Sequence, residues 1–523
     1  MTVACHFSQL NIEFNQTNLF PPLSGTFVRQ KNALIGHNGR GKSVLMRLLA
    51  GLLSPTSGSI DWMMPFIHVD QLTRLQGLSI ADALGISILV QAFERVDSGN
   101  AAMDDFELLE DKWHLPATWE RLLDSAKLPV SIETPIESLS GGQRTRLALC
   151  RAFLHKDHFL LLDEPDNHLD HEGQQWLTDK LAQHHSGSLI ITHNRALLSQ
   201  MQMIFELTDK GLHEYGGNYS LYEEQKNFAM ASIEAQAERL DNELRQEKRQ
   251  QQVTLQKAEK RRKQGEKVRY SGSQSLLLLD MKTNRAQKRQ SNIAERHQRV
   301  MNDIQAQRQA TQDKQIHTKQ QKMALNYQPE GCKITIFASQ LRLPYGHSLP
   351  LSFTAYTGEH WHIKGRNGCG KSTLLKILAG EIQAVSGEYR ISSTFCYLDQ
   401  HLNLLDKTLP VAEALQRYQP AFTVEQWRTQ LGMLRIRGDK SLQSLNQLSG
   451  GEQLKATLLA LTHSPNPPAI LLLDEPDNHL DLDSKALLEE LLKGYQGTLF
   501  LVSHDETFVE HCQITHELKL SSI

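Results

Sequence analysis

GHNGRGKS runs from Gly36 to Ser43, directly after the apolar run Ala33 to Ile35, and GRNGCGKS runs from Gly365 to Ser372. Both fit GxxxxGKS, a glycine-rich loop that follows a strand and opens a helix. Glycine lets the backbone bend so that consecutive N–H groups converge on phosphate oxygens from a helix N-terminus. A single match arises by accident; two in matching contexts, 329 residues apart, do not. Lys42 and Lys371 would then neutralise β- and γ-phosphates, and Ser43 and Ser372 would bind Mg²⁺.

Working outward, the chain is a tandem duplication. Gln71 in HVDQ and Gln400 in YLDQ keep the offset of 329, whereas LSGGQ at Leu139 and LSGGE at Leu448 are 309 apart. EPDNHLD occurs at Glu164–Asp170 and again at Glu475–Asp481, 311 apart, as are His193 and His504. The first half thus holds 20 extra residues between Gln71 and Leu139. In each half short apolar runs such as Phe159 to Leu162 and Ser188 to Thr192 alternate with helical stretches, which predicts an α/β fold with a mainly parallel sheet. The expected domains are 1–225, with a helical subdomain at about 72–150, then a linker at 226–328, then 329–523.

The apolar strands HFLLLDE and AILLLDE end in paired carboxylates. Asp163 and Asp474 are suited to the Mg²⁺ shell, and Glu164 and Glu475 are placed to polarise an attacking water. His193 and His504 follow later strands and are candidates to hold a γ-phosphate, with Gln71 and Gln400 near the metal and water. A lone histidine is ordinarily a bland residue, but this one recurs in register. Phe14 and Tyr345, at matching places before each P-loop, either stack on adenine or belong to the core.

Together these residues resemble the nucleotide-binding domains of the ATP-binding cassette superfamily, over about four-fifths of the chain. The resemblance implies ATP and Mg²⁺ as cofactors, two P-loop domains each with a helical subdomain, and hydrolysis of ATP to ADP and phosphate. It implies that Gly36, Asn38, Gly39, Gly41 and Lys42, with Gly365, Asn367, Gly368, Gly370 and Lys371, cradle the phosphates. It also implies head-to-tail pairing: Ser140, Gly141 and Gly142 face the ATP on Lys371, and Ser449, Gly450 and Gly451 the ATP on Lys42. One chain would then contain its own pseudo-dimer and act as a monomer.

Bulk properties narrow the setting. No apolar run reaches the roughly 18 residues that cross a bilayer, and MTVACHFSQL lacks the layout of a signal peptide, which predicts a cytoplasmic protein without a membrane domain. The six cysteines show no CxxC spacing, so neither a disulfide framework nor a zinc site is expected. A net charge of −3 hides an asymmetry: residues 226–328 hold 22 Lys+Arg and 11 Asp+Glu, which leaves −14 for the rest.

That linker contains no proline, and its apolar residues recur sparsely at Ile233, Leu240, Leu244 and Leu255, then at Ile293, Val300 and Ile304. The pattern predicts two long antiparallel helices with a tip at about 268–282. Cations crowd toward the tip at Lys260, Arg261, Arg262, Lys263, Lys267 and Arg269, then at Lys282, Arg285, Lys288 and Arg289, a candidate contact for an RNA backbone. Leu276 to Leu279 beside them either cap the inner seam or touch a partner.

Two cassettes joined by such a linker, with EPxNHLD in both, resemble the ABC-F family of translation factors. Its usual wording is EPTNHLD; here Asp166 and Asp477 replace the threonine. The resemblance implies a factor in the exit site of the 70S ribosome, its hairpin near the peptidyl tRNA, that regulates, rescues or protects translation. Some members carry an arm in the first cassette, but the acidic stretch DSGNAAMDDFELLED (97–111) favours a short or absent one here. Alternatives are the ATPase subunit of a membrane exporter, which has no use for a basic lever, and a DNA-associated cassette ATPase. The latter normally carries longer coiled coils or a tail, whereas this sequence runs 19 residues beyond His504.

Overall fold

The computed structural model describes residues 2–14, 17–70, 77–167, 169–270, 276–318, 323–329, 331, 333–478 and 480–521; side chains of 261–262, 265–270, 276–284, 286–290 and 312–318 are outside it. Residues 1–220 with 321–523 form one compact unit and 221–320 a second.

In the larger unit the strands Phe159–Asp163 and Ile470–Asp474 are buried along their whole length. A strand apolar on both faces must lie inside a covered parallel sheet, and these do. The first cassette orders its strands Gly211–Gly216, Met203–Thr208, Lys31–Ile35, Ser188–Ile191, Phe159–Asp163 and Phe66–Val69, all parallel except the first pair. The second orders Phe395–Leu398, Ile470–Asp474, Thr498–Val502, His360–Lys364 and His516–Lys519, all parallel. Each cassette adds a three-stranded antiparallel sheet, centred on Val3–Asn11 or Ile334–Arg342. Between the two sheets of the first cassette, Phe7, Phe27 and Phe205 pack with Leu45 and Leu49 of the helix that follows the P-loop. The sequence expectation of an α/β fold with parallel-sheet cassettes therefore holds.

The extra residues of the first half lie in its helical subdomain. After Ile80–Leu84, helices Ser87–Asp97 and Met103–Leu109 stand before Leu115–Ser125, where the second cassette has the single helix Val411–Tyr418 before Val424–Met433. Arg95 fastens Ser87–Asp97 to Met103–Leu109 by donating from Nε at 3.0 Å and from its terminal nitrogen at 2.5 Å to the carboxylate of Asp105.

The smaller unit is two helices, Tyr219–Tyr270 and Leu276–Thr318. At 1.5 Å per residue the 52-residue helix is roughly 80 Å long. They run antiparallel, because Asp241 pairs with Arg308 at 2.5 Å and Glu247 with His297. Leu240, Leu244, Met301 and Thr311 are buried at the seam. Leu255, Ile293 and Val300 are instead exposed, a correction to the sequence reading. The inward row is Leu240, Leu244, Glu247, Gln251 and Thr254 against His297, Met301, Ile304 and Arg308, so the seam turns polar toward the tip and its apolar neighbours fall one position outside it.

Candidate functional site

Both P-loops leave their strands through glycines at crowded or left-handed positions. At Gly36 a Cβ would sit 2.5 Å from the carbonyl oxygen of Leu207, and Gly41 and Gly370 take φ of 92° and 97° just before the helices Lys42–Leu49 and Lys371–Leu378. Gly39 and Gly368 are left-handed as well, at 78° and 81°. Lys42 Nζ donates to the carbonyls of Gly36 at 2.7 Å and His37 at 3.3 Å and to Asn38 Oδ1 at 3.3 Å. Lys371 Nζ does the same with Gly365 at 2.9 Å and Arg366 at 3.1 Å. Burial pushes the Lys42 ammonium down, against the pull of Asp481, Glu164 and Asp163.

The strands ending at Asp163 and Asp474 bring their carboxylates to the P-loop serines. Burial pushes Asp163 up to about 6, with Ser43 facing it, and raises Asp474, faced by Ser372. Neither oxygen of Asp163, nor Oδ1 of Asp474, has a hydrogen bond of normal geometry, although all are buried. Orphaned buried carboxylate oxygens beside a hydroxyl and an ammonium fit a hard divalent cation. Among the described residues no group of three or more His, Cys, Asp or Glu could hold a metal alone, so the phosphates would complete the shell.

One residue on, the backbone turns through a conformation L-residues avoid: Glu164 and Glu475 both have φ of 49°. Each glutamate accepts from an asparagine three residues later, Asn167 or Asn478, at 2.6 Å. Glu475 also accepts from Gln400 Nε2 at 3.0 Å and lies 3.5 Å from His504 Nε2. Burial would raise its carboxyl, but His504 and Lys371 hold it below the usual value. His193 is buried, with neither ring nitrogen hydrogen-bonded, and burial beside Lys42 holds it well below the usual histidine value. Gln71 and the histidines of the two EPDNHLD segments, His168 and His479, lie outside the described residues.

LSGG opens a helix in each half. Ser140 caps Gly141–Leu154 by accepting from Gln143 N, and Ser449 caps Gly450–Thr462 by accepting from Glu452 N. Ser449 Oγ also donates to Glu452 at 2.8 Å, an acid where the first half has Gln143. Ser140, Gly141 and Gly142 line a cavity of about 620 Å³ together with Asn367, Gly368, Gly370, Lys371 and Ser372 of the other cassette. Tyr345, Gln400, Glu475, His504, Glu164 and His193 share it. Phe14 is exposed on a small hairpin, outside that cavity. Gly451 packs on Ser484, and the neighbouring Asp481 reaches the first P-loop, accepting from Asn38 N at 3.2 Å with His37 Nδ1 at 3.3 Å.

Sequence reasoning missed the bonds between cassettes. Arg366, second residue of the second P-loop, donates to Glu172 of the first cassette, and His37 occupies the matching place against Asp481 and Asp483. The signal was present: a cation-capable residue stands second in each P-loop, and acids follow each EPDNHLD. In the hairpin Lys260, Lys263 and Arg285 are exposed. The side chains of Arg261, Arg262, Lys267, Arg269, Lys282, Lys288, Arg289 and Leu276 to Leu279 lie outside the described residues.

The ABC transporter family profile matches residues 26–167 and 349–478. The chain is 32% identical to the probable ATP-binding protein YheS of Haemophilus influenzae, over 98% of this chain and 79% of that one. It is 30% identical to the energy-dependent translational throttle protein EttA of Mycobacterium tuberculosis, covering 92% of this chain and 84% of the relative. Among solved structures, RNase-L Inhibitor superimposes with a TM-score of 0.52 at 17% identity, over 97% of this chain and 86% of the other, a likeness of fold.

Proposed function

Since the chain belongs to the ATP-binding cassette family and to its ABC-F group, we propose that it is a cytoplasmic, ribosome-associated ATPase in which closure of the two cassettes positions the helical hairpin. The observation that carries this is the shared cavity, lined by Ser140–Gly142 from one half and by the P-loop of Lys371 from the other. A site completed by both halves binds ATP fully only when the halves close, so binding energy becomes motion.

In this reading Lys42 and Lys371 release their loop carbonyls to neutralise phosphate oxygens, and the P-loop N–H groups cradle them. Ser43, Asp163 and Gln71 at one site, and Ser372, Asp474 and Gln400 at the other, would hold Mg²⁺, which would supply charge neutralisation on the phosphates. Glu164 and Glu475 orient and polarise the attacking water; Gln400, Asn478 and His504 hold Glu475 for that task. Ser140 and Ser449 offer hydroxyls, and their following glycines N–H groups, to the γ-phosphate of the opposite half. Tyr345, which borders the cavity, stacks on adenine, and Phe14 serves the first site.

The relative from M. tuberculosis is a translational throttle protein, and the basic hairpin gives this chain an element suited to RNA. We therefore place it on the 70S ribosome at the exit site, with the hairpin tip toward the peptidyl tRNA. No helix among the described residues is long and apolar enough to cross a membrane. The test is the double variant Glu164→Gln, Glu475→Gln, sedimented with 70S ribosomes with and without ATP and then imaged. ATP-dependent co-sedimentation with the hairpin beside tRNA is the expected result; ATP-bound, closed protein that leaves tRNA-charged ribosomes alone would overturn the reading.

A further inference from the structure

The two cassettes differ chemically at a place where the repeat would make them alike. In the first, Asn194 Nδ2 donates to Gln174 Oε1 at 3.2 Å, a neutral pair. The positions 311 residues later are Asp505 and Lys485, whose Oδ2 and Nζ are 2.9 Å apart. Both charged side chains are nearly sealed from water, at 7% and 9% exposure. Asn194 and Asp505 each cap the helix that begins just after His193 or His504.

Lys485 reaches beyond that pair. Its charge also acts on Asp477 of its own cassette and on Asp166 of the other. These are the two aspartates that stand where the ABC-F wording has threonine. Each leaves Oδ1 buried and unbonded, while Thr192 faces Asp166 and Ser503 faces Asp477. Asp166, Asp477, Lys485 and Asp505 all border the cavity that holds Lys371, Glu475 and Ser140. The charged neighbours of the group are Glu164 toward Asp166, Arg195 toward Asp505, and His193 and Arg195 on the first cassette's side. Lys485 is thus paired with Asp505, and its charge bears on Asp166 and Asp477 around the same cavity, so removing it would make both of these aspartates easier to protonate. Burial already pushes Asp166 and Asp477 up to about 6.

We propose that Lys485 is a positioning residue for ATP hydrolysis: through Asp505 beside His504, through Asp477, and across the boundary through Asp166, it sets both EPDNHLD loops around the shared cavity. The proposal rests on reading that cavity as an ATP site. Glu475 and Asn478 lie in one of these loops and Glu164 and Asn167 in the other, so a shift of either loop moves a catalytic carboxylate. Threonines at 166 and 477 would need no cation, which makes the two aspartates and Lys485 a set that must change together.

Three forms of the full chain test this: wild type, Lys485→Gln with Asp505→Asn, which copies the first cassette's neutral pair, and the same with Asp166→Thr and Asp477→Thr. ATP turnover and thermal midpoint are measured from pH 5.5 to 8.5. The neutral pair should move the acid limb of turnover up by about one pH unit and lower the rate at pH 7.5 by about tenfold. Its thermal midpoint should fall more at pH 8 than at pH 5.5, where protonated aspartates need no partner. Adding the threonines should remove both pH effects and bring turnover back to within about threefold of wild type. Unmoved pH profiles in the neutral-pair form, or no recovery with threonine, would overturn the assignment. A wild type that hydrolyses no ATP would instead overturn the reading of the cavity and the hydrolytic role with it, while the thermal series still decides whether the charge linkage exists.

Discussion

The Arg366 guanidinium donates to both carboxylate oxygens of Glu172, at 2.6 and 2.7 Å, and so joins the second P-loop to the first residues of the helix after EPDNHLD in the other cassette. Lys127 donates to the same carboxylate at 2.5 Å, and Arg366 with Lys127 holds Glu172 down to about 2. Both Arg366 and Glu172 are more than a third exposed, so water screens the pair and it adds little to stability. Its effect on closing is larger in consequence, since it exists only when the halves meet. Glu172→Gln should leave the thermal midpoint nearly unchanged and weaken ATP-dependent closure by about two- to fivefold at low salt, less at 0.5 M. Fluorescence transfer between the cassettes at two salt concentrations would show it.

Glutamates at φ of 49° hold a strained backbone that their hydrogen bonds to Asn167 and Asn478 help to fix. Glutamine can keep the shape but cannot polarise water as a carboxylate does. Glu164→Gln and Glu475→Gln together should lower kcat by about 10²- to 10⁴-fold while ATP binding persists. Single-turnover phosphate release alongside nucleotide binding separates the two effects. Asn478→Ala should fall between, because Glu475 would keep its charge and lose one of its holders.

The P-loops, the EPDNHLD segments and the LSGG helices were legible because each is a contiguous pattern whose residue types have one chemical use, and the duplication repeats every one of them. The pairing of Arg366 with Glu172 was not, since it joins residues 194 positions apart and depends on how the halves meet. The hairpin was legible as helices, whereas its seam was misplaced at Leu255 and Val300: near the tip Gln251, Thr254 and His297 face inward, and an apolar count cannot find a polar seam. The left-handed glutamates gave no signal, because strain at a non-glycine position is set by the surrounding fold.

Asp163 gives a pH dependence whose sign is fixed. Its carboxyl is raised to about 6 from 3.8, so the folded state binds the extra proton and stability falls as pH rises through that window. Above pH 6 the penalty is complete, at most about 3 kcal/mol at 1.36 kcal/mol per unit. Without divalent cations, Asp163→Asn should therefore raise the thermal midpoint at pH 7.5 and leave it unchanged below about pH 4. With Mg²⁺ and ATP the order should reverse, since the wild-type carboxylate then gains its partner. Scanning calorimetry across pH, with and without Mg-ATP, reads both signs.

The hairpin invites a pair of variants that separate its stiffness from its charge. Leu244 is 7% exposed at the seam, packed in the segment where Leu240 and Met301 are buried too. Leu244→Ala should cost about 2 kcal/mol or more locally, and because the seam toward the tip is polar, the loosening should spread tipward, as faster amide exchange in both helices. Lys260, Lys263 and Arg285 are exposed, so replacing all three with glutamine should leave exchange unaltered. If these cations meet phosphates, the triple variant should weaken binding to single-stranded RNA and flatten its log–log salt slope by about two units. A slope that does not change would place the phosphate contact elsewhere on the chain, whereas loss of binding by Leu244→Ala alone would show that the rigidity of the lever, and not its charge, limits recognition.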